Sequence, residues 1–349
     1  GSTNDILDLA RYTQSMGLKI YLAGEINSEF YPLIENIGIT IIPNKSRQFS
    51  RLDIFSYLLS SLNWLKIILR NNIDLVHINY TSWGPSIGLA AKILKKPIVA
   101  RAGGKLSPKN LSQKWIKRYL ANCEAQASNQ LQSPLRKSVR VVGDLLNLDR
   151  IKECKKLEAP LVDLIDGIPR FVFLGQLVER KGIDILVQAF SKMTTQAQLL
   201  IVGGDWSSEG YPEKIRNLVQ SLTMEDTIHL IDHRPDAIAI LKTADVFVLP
   251  SMSEARPRSI MEAMYLEKCV LATNVGGIPS LIEHEVSGLL VSAGDIDELS
   301  AALDELARSR EKRELLSRGA KKYADEKLDP LITARNYYEN YRELVSSVP

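Results

Sequence analysis

The chain has 349 residues, 45% of them hydrophobic and 24% charged, a balance typical of globular proteins that excludes disorder and fibrous repeats. At about 100 to 200 residues per domain, this length implies two cores. A net charge of +3, from 44 Lys and Arg against 41 Asp and Glu, is too small to imply nucleic-acid binding. Cys123, Cys154 and Cys269 are far apart and offer neither a disulfide framework nor a zinc site, which fits a reducing cytoplasm.

No signal peptide opens the chain. Gly1-Ser2 reads as the scar of a cleaved tag, so the natural start is expected upstream. A helix is predicted over roughly Asn4 to Gln14. Short apolar runs follow: IYLAG (20–24), ITIIP (39–43), LVHIN (75–79) and PIVAR (97–101). The apolar stretch Leu52 to Leu69 is broken by Asp53, Ser56, Ser60, Ser61, Asn63 and Lys66, too often for a membrane span, and reads as a buried amphipathic helix. The rhythm restarts after Pro169 with FVFLG (171–175), QLLIVGG (198–204), TIHLID (227–232), DVFVLP (245–250) and CVLATN (269–274). Strands alternating with helical stretches predict α/β architecture with parallel βαβ units in two doubly wound domains. Their expected bounds are 1–165 and 166–328, with a seam within Leu157 to Arg170 and a last helix over 329–349. A ligand is expected in the cleft at such a junction. In that last helix, Tyr337, Tyr338 and Tyr341 form one stripe, read as core packing.

The chemistry concentrates between Leu249 and Gly288, LPSMSEARPRSIMEAMYLEKCVLATNVGGIPSLIEHEVSGL. Glu254 follows the carboxyl end of a predicted strand, where open α/β sheets bind ligands, and Glu262 falls in the helix after it. Carboxylates there can accept hydrogen bonds from sugar or ribose hydroxyls, and the helix N-terminus between them offers N–H groups to phosphate. Upstream, FLGQLVERKGIDILVQAF (173–190) reads as strand, glycine turn, Lys181-Gly182 and helix, with Lys181 able to neutralise a diphosphate oxygen.

Together these segments resemble the donor-binding half of family 4 glycosyltransferases of the GT-B fold, over most of residues 170 to 325. The resemblance rests on the Lys181-Gly182 turn, the VLPS strand end, the two glutamates, the VGGIPSLI run and the SGLL turn; DLVHIN, KKPIVARAGG and VRVVGDLLN extend it loosely into the N-terminal half. It implies two Rossmann-like domains facing a cleft, the C-terminal helix packing back toward the first. It also implies retaining, metal-independent hexosyl transfer with no cofactor, in which the nucleotide sugar is a co-substrate. Glu254 would touch the donor sugar, Glu262 the ribose and Lys181 the diphosphate. Gln176, Arg256, Arg258 and Ser259 would complete the donor site. A UDP-sugar is expected from family frequency. Retention is usually described in the family as same-face attack, the departing phosphate taking the acceptor proton, so no protein nucleophile is required.

This chain departs from the family at several points. Gln176 stands where relatives usually carry arginine, and Ala255, Arg256 and Pro257 stand where they often carry Gly-Phe-Gly; Pro257 removes an N–H donor. Gly103 stands where many relatives have a histidine near the acceptor. The turn Arg101-Ala102-Gly103-Gly104-Lys105 is an alternative anion nest on the acceptor side, whereas His77 reads as a packed residue. Relatives open with a strand and glycine-rich loop; here a helix comes first, and Ala121 to Arg136 lacks a clear strand.

Asp295-Ile296-Asp297 superficially matches a metal-binding Asp-x-Asp, but SAGDIDELSAAL reads as a helix cap, and no metal site is expected. Gly203-Gly204-Asp205 is too weak for a dinucleotide fingerprint. The alternatives to a transferase are a catalytically silent nucleotide-sugar binding module and a GT-B nucleotide-sugar epimerase. Residues 75–123 contain Lys92, Lys95, Lys96, Arg101, Lys105, Lys109, Lys114, Lys117 and Arg118 but no acid. The expected acceptor is therefore a phosphorylated or lipid-linked saccharide of bacterial surface polysaccharide synthesis. The expected location is the cytoplasm, peripherally at the inner face of the plasma membrane, with Trp115 and Tyr119 of QKWIKRYL at the lipid interface.

Overall fold

The computed structural model describes residues 2–24, 31–43, 54–78, 85–101, 115–122, 139–155, 165, 167–205 and 210–347. Gly103, Gly104, Lys105 and most of the stretch from Leu157 to Arg170 lie outside these residues. Two compact units form, one from the chain up to Leu145 together with Pro330 onward, the other from Leu146 to Asp329. The division falls after Leu145 because Leu146 and Ile151, each 1% exposed, are buried in the C-terminal core.

The N-terminal unit begins with α1 (Ser2–Thr13), then β1 (Tyr21–Gly24), α2 (Tyr31–Asn36), β2 (Thr40–Pro43), α3 (Ile54–Arg70), β3 (Val76–Ile78), α4 (Pro85–Ile93), β4 (Ile98–Arg101), β5 (Arg118–Ala121) and β6 (Val139–Val141). Strands β1 and β2 pair in parallel, and β3-β4-β5-β6 form a second parallel sheet. β4 and β5 lie inside that sheet, and Val99, Ala100, Tyr119 and Leu120 are fully buried, as strands covered on both faces must be.

Strand β5 corrects the reading of QKWIKRYL as a lipid interface. Tyr119 is buried in the sheet. Arg118 is also buried, and donates through Nη1 and Nη2 to the Glu343 carboxylate at 2.9 and 2.8 Å and through Nη1 to Asn340 Oδ1 at 2.9 Å. Trp115 packs on the core, against Gly88 and under the Lys92 ammonium, 5.4 Å away. Helix α3 also differs from expectation. Ser61, Trp64 and Ile68 are buried, but Leu58, Leu59, Leu62 and Leu69 are 49–60% exposed. An apolar helix has more leucines than one buried stripe can hold.

The C-terminal unit contains α5 (Leu148–Glu153), β7 (Arg170–Leu174), α6 (Ile183–Ser191), β8 (Gln198–Val202), α7 (Tyr211–Ser221), β9 (Ile228–Ile231), α8 (Ala237–Lys242), β10 (Val246–Leu249), α9 (Arg258–Tyr265), β11 (Cys269–Thr273), β12 (Leu289–Val291), α10 (Ile296–Arg308) and α11 (Arg310–Lys327). All its strands are parallel, in the order β12-β11-β10-β7-β8-β9. Numbered from β7 as one, this is the 3-2-1-4-5-6 order of a doubly wound Rossmann sheet. Phe171, Phe173 and Phe247 are wholly buried, and Phe171 meets Phe190 edge to face at 6.1 Å. Truncating any of them would cost about 3 to 5 kcal/mol.

The chain ends in α12 (Pro330–Ser346), which joins the N-terminal unit: Tyr337, Tyr341 and Leu344 pack with Leu9, Val99, Leu120 and Leu145. Two residues of the tyrosine stripe are thus core, and Tyr338 is half-buried.

Candidate active site

In the C-terminal sheet the topology switches between β7 and β10, and open α/β sheets bind ligands at the carboxyl ends of the strands at such a point. Lys181 and Glu254 come from the segments that leave these two strands. After β7 the chain makes a single turn over Glu179–Lys181, closed by Gly182 in the left-handed region (φ +64°). Only glycine fits there, because a Cβ would lie 2.3 Å from the Pro250 carbonyl oxygen. This approach brings the turn against the loop after β10, and Met252 N–H donates to the Arg180 carbonyl at 2.8 Å.

Lys181, 8% exposed, donates through Nζ to Glu254 Oε1. Ser251 Oγ donates to the same oxygen at 3.1 Å, and Arg180 Nη1 stands 3.9 Å from it. The second nitrogen of that guanidinium donates to Gln176 Oε1 at 2.9 Å. The loop is fixed from below by Thr273 Oγ1, donating to the Ser251 carbonyl at 2.6 Å, and by Gly277 N–H, donating to the Glu254 carbonyl at 3.3 Å. Gly276, at φ +56°, lies so close that a Cβ would be 1.7 Å from the Glu254 carbonyl oxygen. The VGG run therefore carries the backbone on which Glu254 stands.

Of the expected donor residues, the structure brings Gln176, Lys181 and Glu254 into one network. Glu262 is buried in α9 and faces Arg150 of α5, whose Nη1 is 3.7 Å from Oε1. Arg258 and Ser259 open α9, whose first turn has no side-chain cap because Pro257 is the capping residue. Arg256 lies near Tyr323, where its charge opposes the upward shift that burial gives the hydroxyl. Reading the sequence missed Arg180 and Arg150. Arg180 is visible as the second cation of ERK, whereas Arg150 has no local signal because the fold brings it from far upstream.

In the N-terminal unit, Arg101 ends β4 with Nη2 3.8 Å from Asp144 Oδ1, an oxygen that also accepts from Asn122 Nδ2. Asn122 is buried, the Asp144 side chain is 5% exposed, and the two follow β5 and β6, so this polar group lines one sheet edge. His77 Nδ1 is 2.6 Å from the Tyr341 hydroxyl, and its ring stacks on Tyr337. Burial, and secondarily the Arg101 charge, lower its pKa to about 4, so the ring is a neutral packing residue.

Asp295 caps α10, accepting from Glu298 N–H at 2.9 Å, and Asp297 pairs with Lys192 at 2.6 Å. Gly203 packs on the turn after β7, where a Cβ would lie 1.8 Å from the Gly175 carbonyl oxygen. Among the described residues, no three His, Cys, Asp or Glu side chains converge as metal ligands, and no helix is long and apolar enough to cross a membrane.

The model for "Glycosyl transferases group 1" matches residues 163–323. That segment, a little under half of the chain, is similar to this family. It covers the switch point with Lys181, Glu254 and Glu262. Curated relatives are similar over a longer stretch. The D-inositol 3-phosphate glycosyltransferase of Saccharomonospora viridis is 27% identical over 223 residues, 59% of this chain and 51% of that protein. The amylovoran biosynthesis glycosyltransferase AmsK of Erwinia amylovora is 26% identical over 258 residues, 68% of this chain and 61% of that protein. The chain thus spans about half to three fifths of the length of these relatives. Among solved structures, a glycosyltransferase from Rickettsia africae superposes with a TM-score of 0.87 at 19% identity, covering 99% of this chain and 95% of that one. Anabaena Alr3699/HepE in complex with UDP superposes at 0.81, also with 19% identity, covering 98% and 96%. The fold of the chain is GT-B, with two Rossmann-like domains.

Proposed function

We propose that the chain is a family 4 retaining glycosyltransferase that moves a hexosyl group from a UDP-sugar to a saccharide acceptor in surface-polysaccharide synthesis, without a metal ion. The observation that carries this reading is the Lys181–Glu254 pair at the switch point of a group 1 domain. The UDP bound by the Anabaena protein supports the choice of nucleotide, and the amylovoran role of AmsK supports the acceptor class.

The acceptor hydroxyl oxygen attacks the anomeric carbon while the bond from that carbon to the diphosphate breaks on the same face. The electron pair leaves with the nucleotide, and the acceptor proton passes to the departing phosphate oxygen. This chain's residues orient the sugar and stabilise the charge that develops. Glu254 accepts from a sugar hydroxyl, Glu262 from the ribose, and Lys181 donates to the diphosphate. Arg180 stands in for the cation absent at Gln176, and the uncapped N–H groups of α9 face phosphate. Each hydrogen bond to a charged group is worth about 1.5 to 3 kcal/mol, so losing one in the transition state slows transfer about 10- to 150-fold. On the acceptor side, Arg101 with Gly103, Gly104 and Lys105 is assigned to a phosphate-bearing saccharide.

Thermal shifts with UDP-, GDP- and ADP-sugars test the donor, since a ligand at 100 times its Kd stabilises by about 2.7 kcal/mol. With the selected donor, transfer to an acceptor panel in EDTA and the anomeric configuration of the product test the reaction. Binding without turnover would identify a silent module, and an epimerised sugar an epimerase. Chelator-sensitive transfer restored by magnesium or manganese would remove the metal-free part.

A further inference from the structure

We propose that the outward face of α3, with the end of α4, docks on an anionic lipid bilayer. Successive helical residues advance about 100°. Leu58, Leu62 and Leu69 therefore fall within about 40° of one another, and Lys66, Leu59 and Arg70 follow within about the next 80°. All six are exposed, opposite the buried stripe of Ser61, Trp64 and Ile68. At the end of the neighbouring α4, Ile93 is 56% exposed, beside the exposed cations Lys92 and Lys95. The two helices are neighbours, linked by Ser60 Oγ donating to Ser86 Oγ at 3.1 Å.

Charge decides what covers this face. Neither IFSYLLSSLNWLKIILR nor PSIGLAAKI contains an acidic residue, and the nearby Asp74 already pairs with Lys96. A second copy would set Lys66, Arg70 and Lys92 against like charge. An anionic bilayer instead takes the leucines at the boundary between headgroups and acyl chains and the cations among its phosphates. With 17 residues and a central lysine, α3 lies in the interface rather than spanning. The corrected positions of Arg118 and Tyr119 leave α3, not QKWIKRYL, as the lipid-facing element. This inference does not rest on the donor site.

Flotation of the full chain with phosphatidylcholine vesicles, with and without phosphatidylglycerol, at low and high salt, tests it. Binding is expected only with phosphatidylglycerol and should weaken with salt. Leu58→Ser with Leu62→Ser should lower partitioning at least about tenfold. Lys66→Glu with Arg70→Glu should lower it by at least about 25-fold, each lost cation contributing about fivefold. The Tm of both variants should match that of the parent. Four outcomes would overturn the proposal. The chain fails to float at low salt, or floats regardless of either variant. The leucine variant loses several degrees of Tm, so that the chain itself covers the face. Sedimentation finds a dimer that the leucine variant dissolves, with no vesicle binding.

Discussion

The carboxyl edges of the two larger sheets are built on different principles. In the C-terminal unit, backbone meets backbone: Gly182 lies against Pro250, Gly276 against Glu254 and Gly203 against Gly175, each too close for a Cβ. Side chains on such a frame have little freedom, and Lys181 and Glu254 are held together. In the N-terminal unit, side chain meets side chain: Arg101 and Asn122 reach Asp144, and His77 reaches Tyr341. Its comparable glycine, Gly143 at φ +93°, would place a Cβ 2.8 Å from a rotatable hydroxyl, that of Thr333. One edge is a rigid frame for charged groups. The other is a cluster of side chains that can repack.

The largest expected effect would break that contrast. Gly276→Ala should cost about 4 kcal/mol or more in urea unfolding, combining a backbone clash with a left-handed residue, and should abolish measurable transfer by displacing Glu254. Gly143→Ala should cost about 1 to 2 kcal/mol, part of it recovered with Thr333→Ala. Equal costs at the two glycines would erase the distinction. Next comes Lys181→Ala, which leaves the Glu254 carboxylate nearly buried without its main partner. It should lose about 3 kcal/mol as well as transfer, and Lys181→Ala with Glu254→Ala should regain stability but not donor binding.

The same contrast explains what the sequence could reveal. Backbone contacts demand glycine, so the Lys181-Gly182 turn and the VGG run stand out as motifs, and Lys181 and Glu254 can be read with them. The buried strands were legible as well: FVFLG, DVFVLP and CVLATN each lie within a residue or two of β7, β10 and β11. Strand β5 was not, because RYLA contains an arginine whose partner, Glu343, comes from the other end of the chain. β12 was hidden in the SGLL turn. Arg150, Asn122 and Asp144 are functional candidates only because the fold carries them to Glu262 and Arg101. The exposed leucines of α3 were illegible for another reason: an apolar helix reads alike whether one face or two are covered.

His77 sharpens the N-terminal side of the comparison. Its folded pKa, about 4, lies below the ordinary value of 6.5, so between those values the unfolded chain binds a proton that the folded chain does not. Its contribution is complete above pH 6.5 and is lost as pH falls toward 4, by up to about 3 kcal/mol. His77→Gln should flatten the unfolding free energy over this window relative to the parent. Identical slopes would show that the ring titrates freely and is not locked between its tyrosines.

The smallest expected effect separates position in a sheet from function. Asp295 also follows a strand at the carboxyl edge, but that strand is β12, at the end of the sheet and away from the switch point between β7 and β10. Its carboxylate accepts from Glu298 N–H, and the neighbouring Asp297 pairs with Lys192. A side chain in this role stabilises the first turn of α10 by about 1 kcal/mol. Asp295→Ala should lower urea stability by about that amount, Asp295→Ser or Asp295→Asn should restore most of it, and kcat with the selected donor should be unchanged in all three. A metal ligand would behave in the opposite way. Its removal would cut kcat sharply, Ser would not rescue it, and the loss would deepen as magnesium or manganese was withdrawn. Rescue of stability by any good capping residue is the discriminating result, because a cap needs only one short acceptor at the helix start, whereas a divalent ion needs a charged pair.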